Sequence, residues 1–279
     1  MYILDLHFKN ACRNGNGRLR FPKYNGQIRK WTLFSSGPSK LELLRFVAIA
    51  CGGVKFLPKL PFQFLELLDF PEIPLQLEFV LAPHPGQDYG ENLPACYGSG
   101  IQIKSGQHPI AFCKKMEFLP AGLSTRKPAF GTGNSSYFIL GYGHDIIPHR
   151  GTDDFDFLDP FFRITRFHTL FNKDAHVTDP IEFLHRLRFK IVRAGRYLPT
   201  KILKILDDLF QENFDIDIGS WFYDSSDFKK KWDRLQPWQR RAALIPLDVA
   251  RHLLDAFPQS NNPTDKQGII LLNGPDRIC

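Results

Sequence analysis

We expect the fold of this chain to be organised around the stretch Trp31–Gly53, WTLFSSGPSKLELLRFVAIACGG. It predicts a buried strand over Trp31–Phe34, a short loop of small residues, and an apolar helix that begins near Lys40 and ends near Cys51. This arrangement is typical of a phosphate-binding loop, because backbone N–H groups and the helix dipole converge on an anion at the start of the helix. An ordinary strand-turn-helix is the alternative, and the local pattern leaves it open.

The loop keeps only part of the phosphate-binding motif G-x-x-x-x-G-K-[ST]. Gly37 and Lys40 remain, Ser39 stands where the second glycine belongs, and Leu41 replaces the hydroxyl that would hold Mg²⁺. A lysine can still bind phosphate as a point charge without catalysis. We therefore expect no required cofactor, with ATP as the candidate ligand of a residual phosphate site at Gly37, Ser39 and Lys40.

Composition and charge exclude several classes of protein. The 279 residues are 43% hydrophobic and include 26 Phe, which is typical of a globular chain with a substantial core. The five cysteines form no C-x-x-C pair and the histidines form no metal-binding motif, so we predict neither a disulfide framework nor a metal site. The opening MYILDLHFKN is charged too early for a signal peptide and no apolar run reaches membrane length, so we expect a cytoplasmic protein with no membrane partner.

The net charge of +7 is concentrated in two basic stretches, Arg186–Lys204 and Lys229–Arg241. A basic surface can hold nucleic acid through phosphate contacts, but a solvated helix face or a site for an acidic partner protein is the more common interpretation. No helix-turn-helix, zinc or RNA-binding signature accompanies the charge. The candidate residues for contact with nucleic acid or a partner are Lys229, Lys230, Lys231, Arg234, Trp238, Arg240 and Arg241.

Alternation of apolar and polar residues predicts strands in the first half of the chain. They fall at Tyr2–Phe8, Gly17–Phe21, Leu75–Ala82, Ile101–Lys104, Ile110–Phe112 and Ser136–Gly143. We expect the first two to form a hairpin around Asn14–Asn16, and Ile101–Lys104 to pair antiparallel with Ile110–Phe112. The segment Leu57–Pro74 is interrupted by prolines and should be irregular.

Helical periodicity dominates the second half. The predicted helices are Asp159–Phe171, Asp179–Ala194, Pro199–Glu212 and Pro237–Phe257. The last of these carries its apolar positions at Ala242, Leu244, Ile245, Val249, Leu253 and Leu254. Asp179 before Pro180 is typical of a helix start, and Phe214–Ile218 is expected to be a short strand. Gly268–Leu272 predicts a strand buried on both faces, which we expect to lie beside Trp31–Phe34.

Five strings in these segments carry a resemblance to a known family. They are WT…KLELLRFVAIA around Lys40, SYFILGYG at Ser136–Gly143, RFHTLF at Arg166–Phe171, DVARHLL at Asp248–Leu254 and GIILLNGPD at Gly268–Asp276. In order and spacing they resemble the nucleotide-binding domain of RecF/SMC-like ABC ATPases, in the branch of bacterial AAA-type proteins often found in defence loci. The first string matches that family's phosphate-binding helix once two residues are deleted from the loop.

The resemblance implies an α/β fold of the P-loop NTPase type. A mixed sheet would surround a central helix, with an antiparallel β subdomain and an α-helical lobe. Residues 1–158 would form the N-terminal half of the ATPase-like lobe with the antiparallel β subdomain. Residues 159–213 would form the helical lobe, and residues 214–279 the C-terminal half with a signature-like helix and a degenerate Walker B strand.

The departures from the family fall on its catalytic positions. Its members hold Mg²⁺ with a Ser/Thr and an Asp and orient water with a Glu, whereas this chain has Leu41, Asn273 and Gly274 at these positions. A neutral amide binds a hard cation less well than a carboxylate does. Trp238 stands in the signature motif, where a small residue is needed for close approach. The family's D-loop and switch histidine would lie beyond Cys279, so we expect them to be missing.

The resemblance therefore implies a pseudo-ATPase. Losing one charge-stabilising group commonly costs ~10²–10³ in rate, so several losses leave no hydrolysis expected from this chain alone. It would act as a structural or regulatory subunit of a multiprotein complex, in bacterial antiphage defence or a DNA transaction. Its partner would be an ATPase, a nuclease or toxin effector, or a second copy. Two alternatives stay open, namely a half-site ATPase completed by a partner chain and a basic nucleic-acid-binding module.

Overall fold

The computed structural model of the protein describes a defined part of the chain. The described residues are 2–11, 15–21, 23–24, 27–28, 40–52, 67–82, 97–107, 110–112, 124–125, 138–143, 146–149, 166–172, 176–185, 187, 200–221, 225–257, 263–265 and 268–273. Across these ranges the protein is a mixed α/β structure with both antiparallel and parallel strand pairs. The predicted strand Trp31–Phe34 lies outside them, so its place beside Ile269–Leu272 stays a prediction.

The strands and helices are numbered in chain order. The strands are β1 (Tyr2–Ala11), β2 (Gly15–Arg20), β3 (Lys23–Tyr24), β4 (Gln27–Ile28), β5 (Leu75–Ala82), β6 (Tyr97–Ile103), β7 (Ile110–Phe112), β8 (Ser124–Thr125), β9 (Phe138–Tyr142), β10 (Ile147–His149), β11 (His176–Thr178) and β12 (Gly268–Leu272). The helices are α1 (Lys40–Gly52), α2 (His168–Phe171), α3 (residues 180–185), α4 (Thr200–Phe214), α5 (Ile218–Trp221), α6 (Ser225–Arg234) and α7 (Pro237–Ala256). Pro263–Asp265 is one turn of 3₁₀ helix.

The first half of the chain builds an antiparallel sheet. Its strand order is β2-β1-β5-β6-β7, and β8 adds a parallel pair to β6. The predicted strand over Leu75–Ala82 is confirmed, as is the antiparallel pairing that involves Ile110–Phe112. The predicted hairpin of the first two strands is confirmed too, but β2 already begins at Gly15, inside the expected turn.

Helix α1 is the central helix of the first core. It begins at Lys40, as the sequence predicts, and Leu44 and residues 46–50 are buried. A helix that is apolar on most of its surface must be enclosed. Accordingly, α1 packs against β5 on one side and against α2, β9 and β12 on others. The ring of Phe46 lies 5.5 Å from that of Phe8 on β1.

Strands β9 and β12 form a parallel pair, which we call the β9–β12 ribbon. It runs from Phe138 opposite Gly268 to Tyr142 opposite Leu272. Because successive side chains of a strand point to opposite faces, Ile139 belongs to the first core and Leu140 to a second, largely helical core. The ribbon therefore contributes one face to each hydrophobic core.

The second core is built mainly from α3, α4, α6 and α7. Asp179 starts α3 as predicted, because its Oδ1 accepts hydrogen bonds from the N–H groups of Ile181 at 2.9 Å and Glu182 at 3.2 Å. The predicted helix over Pro199–Glu212 corresponds to α4, which runs two residues further. Of the predicted helix Asp159–Phe171, residues 159–165 lie outside the described part.

The predicted short strand over Phe214–Ile218 is wrong. Helix α4 includes Phe214, Asp215 then adopts a left-handed φ of 55°, and α5 begins at Ile218. Oδ1 of Asp207 accepts the N–H of Ile218 at 2.8 Å and thereby caps the new helix. The positive φ of Asp215 thus redirects the chain between the end of α4 and the start of α5.

The burial of α7 differs from its apolar pattern, and the predicted burial of Gly268–Leu272 on both faces is wrong. On α7, Asp248 and His252 are buried, whereas Ala242, Ile245 and Val249 are only half-buried. Those three apolar side chains line a groove of about 460 Å³ between α4, α7 and β12. Ile270 of β12 borders the same groove and is 41% exposed, so the strand is not buried on both faces.

Candidate functional site

The structure describes part of the predicted phosphate site. Lys40 is the first residue of α1 and is exposed, whereas Gly37 and Ser39 lie outside the described residues. Leu41 is half-buried and packs against the first core. The side chain at the position where the resemblance would place a metal-holding hydroxyl is therefore an apolar contact with the first core.

Asn273 directly follows β12 and is 6% exposed. Its N–H donates to the carbonyl oxygen of Tyr142 at 3.0 Å and extends the ribbon by one bond. No acceptor among the described residues bonds its Nδ2 atom. A buried amide left without a partner costs about 1–3 kcal/mol, so a water or bound group that accepted this bond would be stabilised. Gly274 lies outside the described residues.

The Gly-Tyr-Gly turn that ends β9 lies in close contact with α2. A Cβ atom at Gly143 would lie 2.0 Å from the backbone oxygen of Thr169, so only glycine permits the approach. The Thr169 hydroxyl donates to the carbonyl of Gly141 at 3.0 Å and accepts from the N–H of Gly143 at 3.2 Å. The end of β9 and helix α2 therefore form one packed unit.

Arg45 connects α1 to the same unit. Its Nε donates to the carbonyl oxygen of Leu170 at 2.8 Å, and its guanidinium carbon lies 5.8 Å from the centre of the Phe171 ring. Carbonyl groups at the end of a helix lack partners within it, and an arginine supplies one. Three of the strings that carry the family resemblance thus meet through direct hydrogen bonds.

A buried group of ionisable side chains joins the ribbon to α7. The Tyr142 hydroxyl donates to Oδ2 of Asp248 at 2.8 Å, and Arg251 donates twice to Oδ1 at 3.0 and 2.8 Å. Nε2 of His252 lies 2.7 Å from a guanidinium nitrogen of Arg251. We call Tyr142, Asp248, Arg251 and His252 the Asp248 cluster.

The contacts determine the protonation states in the Asp248 cluster. Arginine can only donate, so Nε2 of His252 accepts the bond and carries no proton. Burial, followed by the positive charges of Arg251 and Arg166, lowers the pKa of His252 well below its usual value. Burial and the Asp248 carboxylate raise the pKa of Tyr142 well above its usual value. At neutral pH the cluster holds a neutral histidine, a neutral tyrosine and one ion pair.

The Asp248 cluster is a structural link rather than a reactive site. Tyr142, Asp248 and His252 are almost completely buried, and both carboxylate oxygens are already bonded. Sequence reasoning did not identify the cluster, because Asp and His side chains are mostly exposed and only partners from distant segments account for their burial here. The available signal was the four-residue spacing of Leu244, Asp248 and His252, which places all three on one helix face.

The basic stretch Lys229–Arg241 covers the second half of α6, a two-residue turn and the start of α7. Lys229, Lys230 and Arg234 are exposed on α6, and Trp238 is 51% exposed in the first turn of α7. The structure therefore places these four predicted contact residues at the surface.

The other three predicted contact residues have partners or are partly covered. Lys231 lies 4.0 Å from Asp227. Arg240 donates to backbone carbonyl groups at the end of α6, one of them at 3.1 Å. Arg241 is half-buried. Most of the second basic stretch, Arg186–Lys204, lies outside the described residues.

The described part of the chain contains neither a metal-binding cluster nor a membrane-spanning helix. Among the described residues, no three His, Cys, Asp or Glu side chains are gathered closely enough to hold a metal ion. None of the described helices has both the length and the apolar character needed to cross a bilayer. No family model and no curated protein matches the chain.

Proposed function

We propose that this chain is a degenerate ABC-type ATPase domain that acts as a structural or regulatory subunit of a multiprotein complex. The observation that carries the proposal is the chemistry at two positions: Leu41 packs on the core, and Asn273 is a buried neutral amide. Mg²⁺ is held by hard oxygen ligands, and phosphoryl transfer depends on that ion. A chain with these side chains would keep the fold of an ATPase domain but would not hydrolyse ATP.

The packing of α1 supports the proposed scaffold. This helix contacts β5 of the antiparallel sheet and both strands of the β9–β12 ribbon. Arg45 reaches across to Leu170, 125 positions later in the chain, and Thr169 bonds the Gly-Tyr-Gly turn. A central helix between an antiparallel sheet and parallel strands is the arrangement that the resemblance implies.

The scaffold is tested by the distance between the loop before α1 and the residue after β12. In an ATPase-like core both would border one nucleotide pocket, so Ser39→Cys and Gly274→Cys should be joined by a short bismaleimide. The crosslinked peptide is identified by mass spectrometry. The control combines Ser39→Cys with Lys229→Cys on the exposed face of α6, where no link is expected. A link in the control pair alone contradicts the proposed scaffold.

The loss of hydrolysis is tested by ATP turnover of the purified chain. We expect no turnover above that of Lys40→Ala, because the metal-holding groups are replaced. Lys204→Ala is the matched control, since Lys204 is an exposed lysine on α4. Turnover that falls at least about tenfold in Lys40→Ala, the effect of one lost charge contact of about 1.4 kcal/mol, and not in the control contradicts the proposal.

The subunit role is tested with the complex purified at native expression level. We expect a partner protein to co-purify equally with the wild-type chain and with Lys40→Ala, and any ATP turnover of the complex to be the same in both. Turnover of the complex that requires Lys40 supports the alternative of a half-site ATPase.

A further inference from the structure

Helix α6 has one buried and one charged side. Phe228 and Trp232 are buried, and their rings stack 5.8 Å apart at 13°. Lys229, Lys230 and Arg234 are exposed on the remaining surface. Lys230 and Arg234 are four residues apart and therefore share one face. Because Phe228 and Trp232 anchor α6 in the second core, the three cations lie on the outer side of a well-packed helix.

The turn between α6 and α7 is held by Arg240. Its side chain donates to the carbonyl groups of Asp233 and Leu235, the latter at 3.1 Å, which ties the first turn of α7 to the end of α6. Trp238 lies in that first turn and is 51% exposed. The Cα atoms of Arg234 and Trp238 are four residues apart and therefore at most about 14 Å from each other. Both side chains consequently lie within reach of one short strand of nucleic acid.

The α6–α7 corner, Ser225–Arg241, has a surplus of positive charge. It contains six basic and two acidic residues. Lys231 is close to Asp227, Arg240 bonds backbone carbonyls and Arg241 is half-buried. The exposed cations are therefore Lys229, Lys230 and Arg234, and Asp233 is the one exposed acidic side chain of this corner besides Asp227. Positive charge of this kind complements a chain of phosphates.

We propose that the α6–α7 corner binds single-stranded nucleic acid. The phosphates would contact Lys229, Lys230 and Arg234, and one base would stack on Trp238. Stacking on an aromatic side chain tolerates any base, but the base must be unpaired. A duplex would use the cations and lose the stacking contact. An acidic protein would use the same cations and would have no need of an exposed indole.

Fluorescence anisotropy of the full chain with a labelled oligonucleotide of about 16 nucleotides tests this proposal. We expect tighter binding of the single strand than of a duplex of the same length. We also expect log K for the single strand to fall with log[salt] between about 50 and 200 mM, by ~0.7 for each phosphate contact.

Substitutions separate stacking from charge. Trp238→Ala should weaken single-strand binding about 5- to 100-fold and leave the salt slope unchanged. Lys230→Ala and Arg234→Ala should each reduce the slope by ~0.7. Lys104→Ala, at the exposed lysine that follows β6, is the matched control and should change neither quantity. All four positions are exposed, and far-UV circular dichroism checks that each variant is folded.

Three results overturn the proposal. One is no change in anisotropy at the lowest salt concentration. Another is equal binding by wild type and Trp238→Ala, or tighter binding of the duplex, which would remove the stacking contact. The third is binding of polyglutamate as tight as that of the oligonucleotide and insensitive to Trp238→Ala, which would make the corner a general site for acidic chains.

Discussion

At Gly143 the end of β9 lies close to the backbone of α2, and this contact gives a stability prediction. A methyl group there would meet the carbonyl oxygen of Thr169 at 2.0 Å. Because backbone atoms cannot swing away as a side chain does, we expect Gly143→Ala to lower the free energy of unfolding by about 3 kcal/mol, measured by urea denaturation.

Gly219→Ala is the matched control for Gly143→Ala. Its added methyl group would lie 3.1 Å from Oδ1 of Asp217, the end of a flexible side chain. We expect a change within about 1 kcal/mol, since alanine also favours helix over glycine. Equal losses of stability in the two variants would show that close contact at Gly143 is not the cause.

His252 makes stability depend on pH in one direction. Its pKa is lowered in the folded protein, so below the ordinary histidine pKa of about 6.5 the unfolded chain binds a proton that the folded chain does not. The free energy of unfolding should therefore fall as the pH decreases from about 7 towards 5. It should fall by up to ~1.4 kcal/mol per pH unit from this one group.

Denaturant titrations of His252→Gln at each pH check this expectation. The variant should lose this contribution to the slope below pH ~6.5 and should run parallel to the wild type above pH ~7. An unchanged slope in His252→Gln would mean that other groups cause the acid sensitivity.

At the residue scale, a motif names positions along the chain but does not identify contacts between distant residues. Lys40, Leu41 and Asn273 could be picked out because a motif defines where each should stand. Asp248 and His252 could not, because their burial depends on Tyr142 and Arg166, which lie far away in the chain. A polar residue is buried only where partners meet it in three dimensions.

At the scale of elements, Asn10 fixes how β1 meets the turn before β5. It adopts a φ of 56°, its Nδ2 donates to the carbonyl groups of Phe70 and Ile73, and its Oδ1 accepts the N–H of Phe70 at 2.9 Å. Replacing it by glycine would keep the backbone angle and remove all three hydrogen bonds. We expect Asn10→Gly to lower the unfolding free energy by more than about 2 kcal/mol, measured by thermal and urea denaturation.

Asp215→Gly supplies the comparison for Asn10→Gly. Asp215 has a similar φ of 55° but is exposed, and its side chain lies 3.5 Å from Nε2 of Gln211. Glycine relieves the left-handed strain of about 1 kcal/mol, so we expect stability to stay equal or rise slightly. A large loss at Asp215 and none at Asn10 would reverse the roles given to the two residues.

Local signals were enough to predict several elements. Alternation predicted the bounds of β5, and the change from loop to apolar helix predicted the start of α1 at Lys40. The strand expected over Phe214–Ile218 failed because one left-handed residue, Asp215, decides the path there. Alternating apolar residues between two helices look the same whether they form a strand or a tight connection.

At the scale of the whole molecule, the β9–β12 ribbon contributes side chains to both cores, so we expect the two cores to unfold together. Leu140 is fully buried in the second core, and its neighbour Ile139 belongs to the first. We expect Leu140→Ala and Ile139→Ala each to lower stability by about 2–5 kcal/mol. Tryptophan fluorescence and far-UV circular dichroism should still show coincident transitions.

Ile110→Ala is the control for these core substitutions, because Ile110 is 56% exposed. A change within about 0.5 kcal/mol is expected there. Transitions that separate in Leu140→Ala but not in Ile110→Ala would show that the two cores unfold independently.

The whole-molecule arrangement was the hardest part to predict. The apolar run GIILL predicted a strand, but no local signal identifies Phe138–Tyr142 as its parallel partner. Nor does the run indicate that a groove leaves Ile270 exposed. Such pairings depend on packing between distant segments. The resemblance supplied an expected order of elements, and only part of it lies in the described ranges.

The wide sequence separation within the ribbon affects how the chain is made. Phe138 pairs with Gly268, 130 positions later, and ribosomes add about 5–20 residues per second. The apolar side of β9 must therefore wait roughly 7–26 seconds for its partner during synthesis. Throughout that interval the nascent chain would present β9 without its partner β12, so we expect its yield in cells to depend on chaperone supply and on the speed of translation.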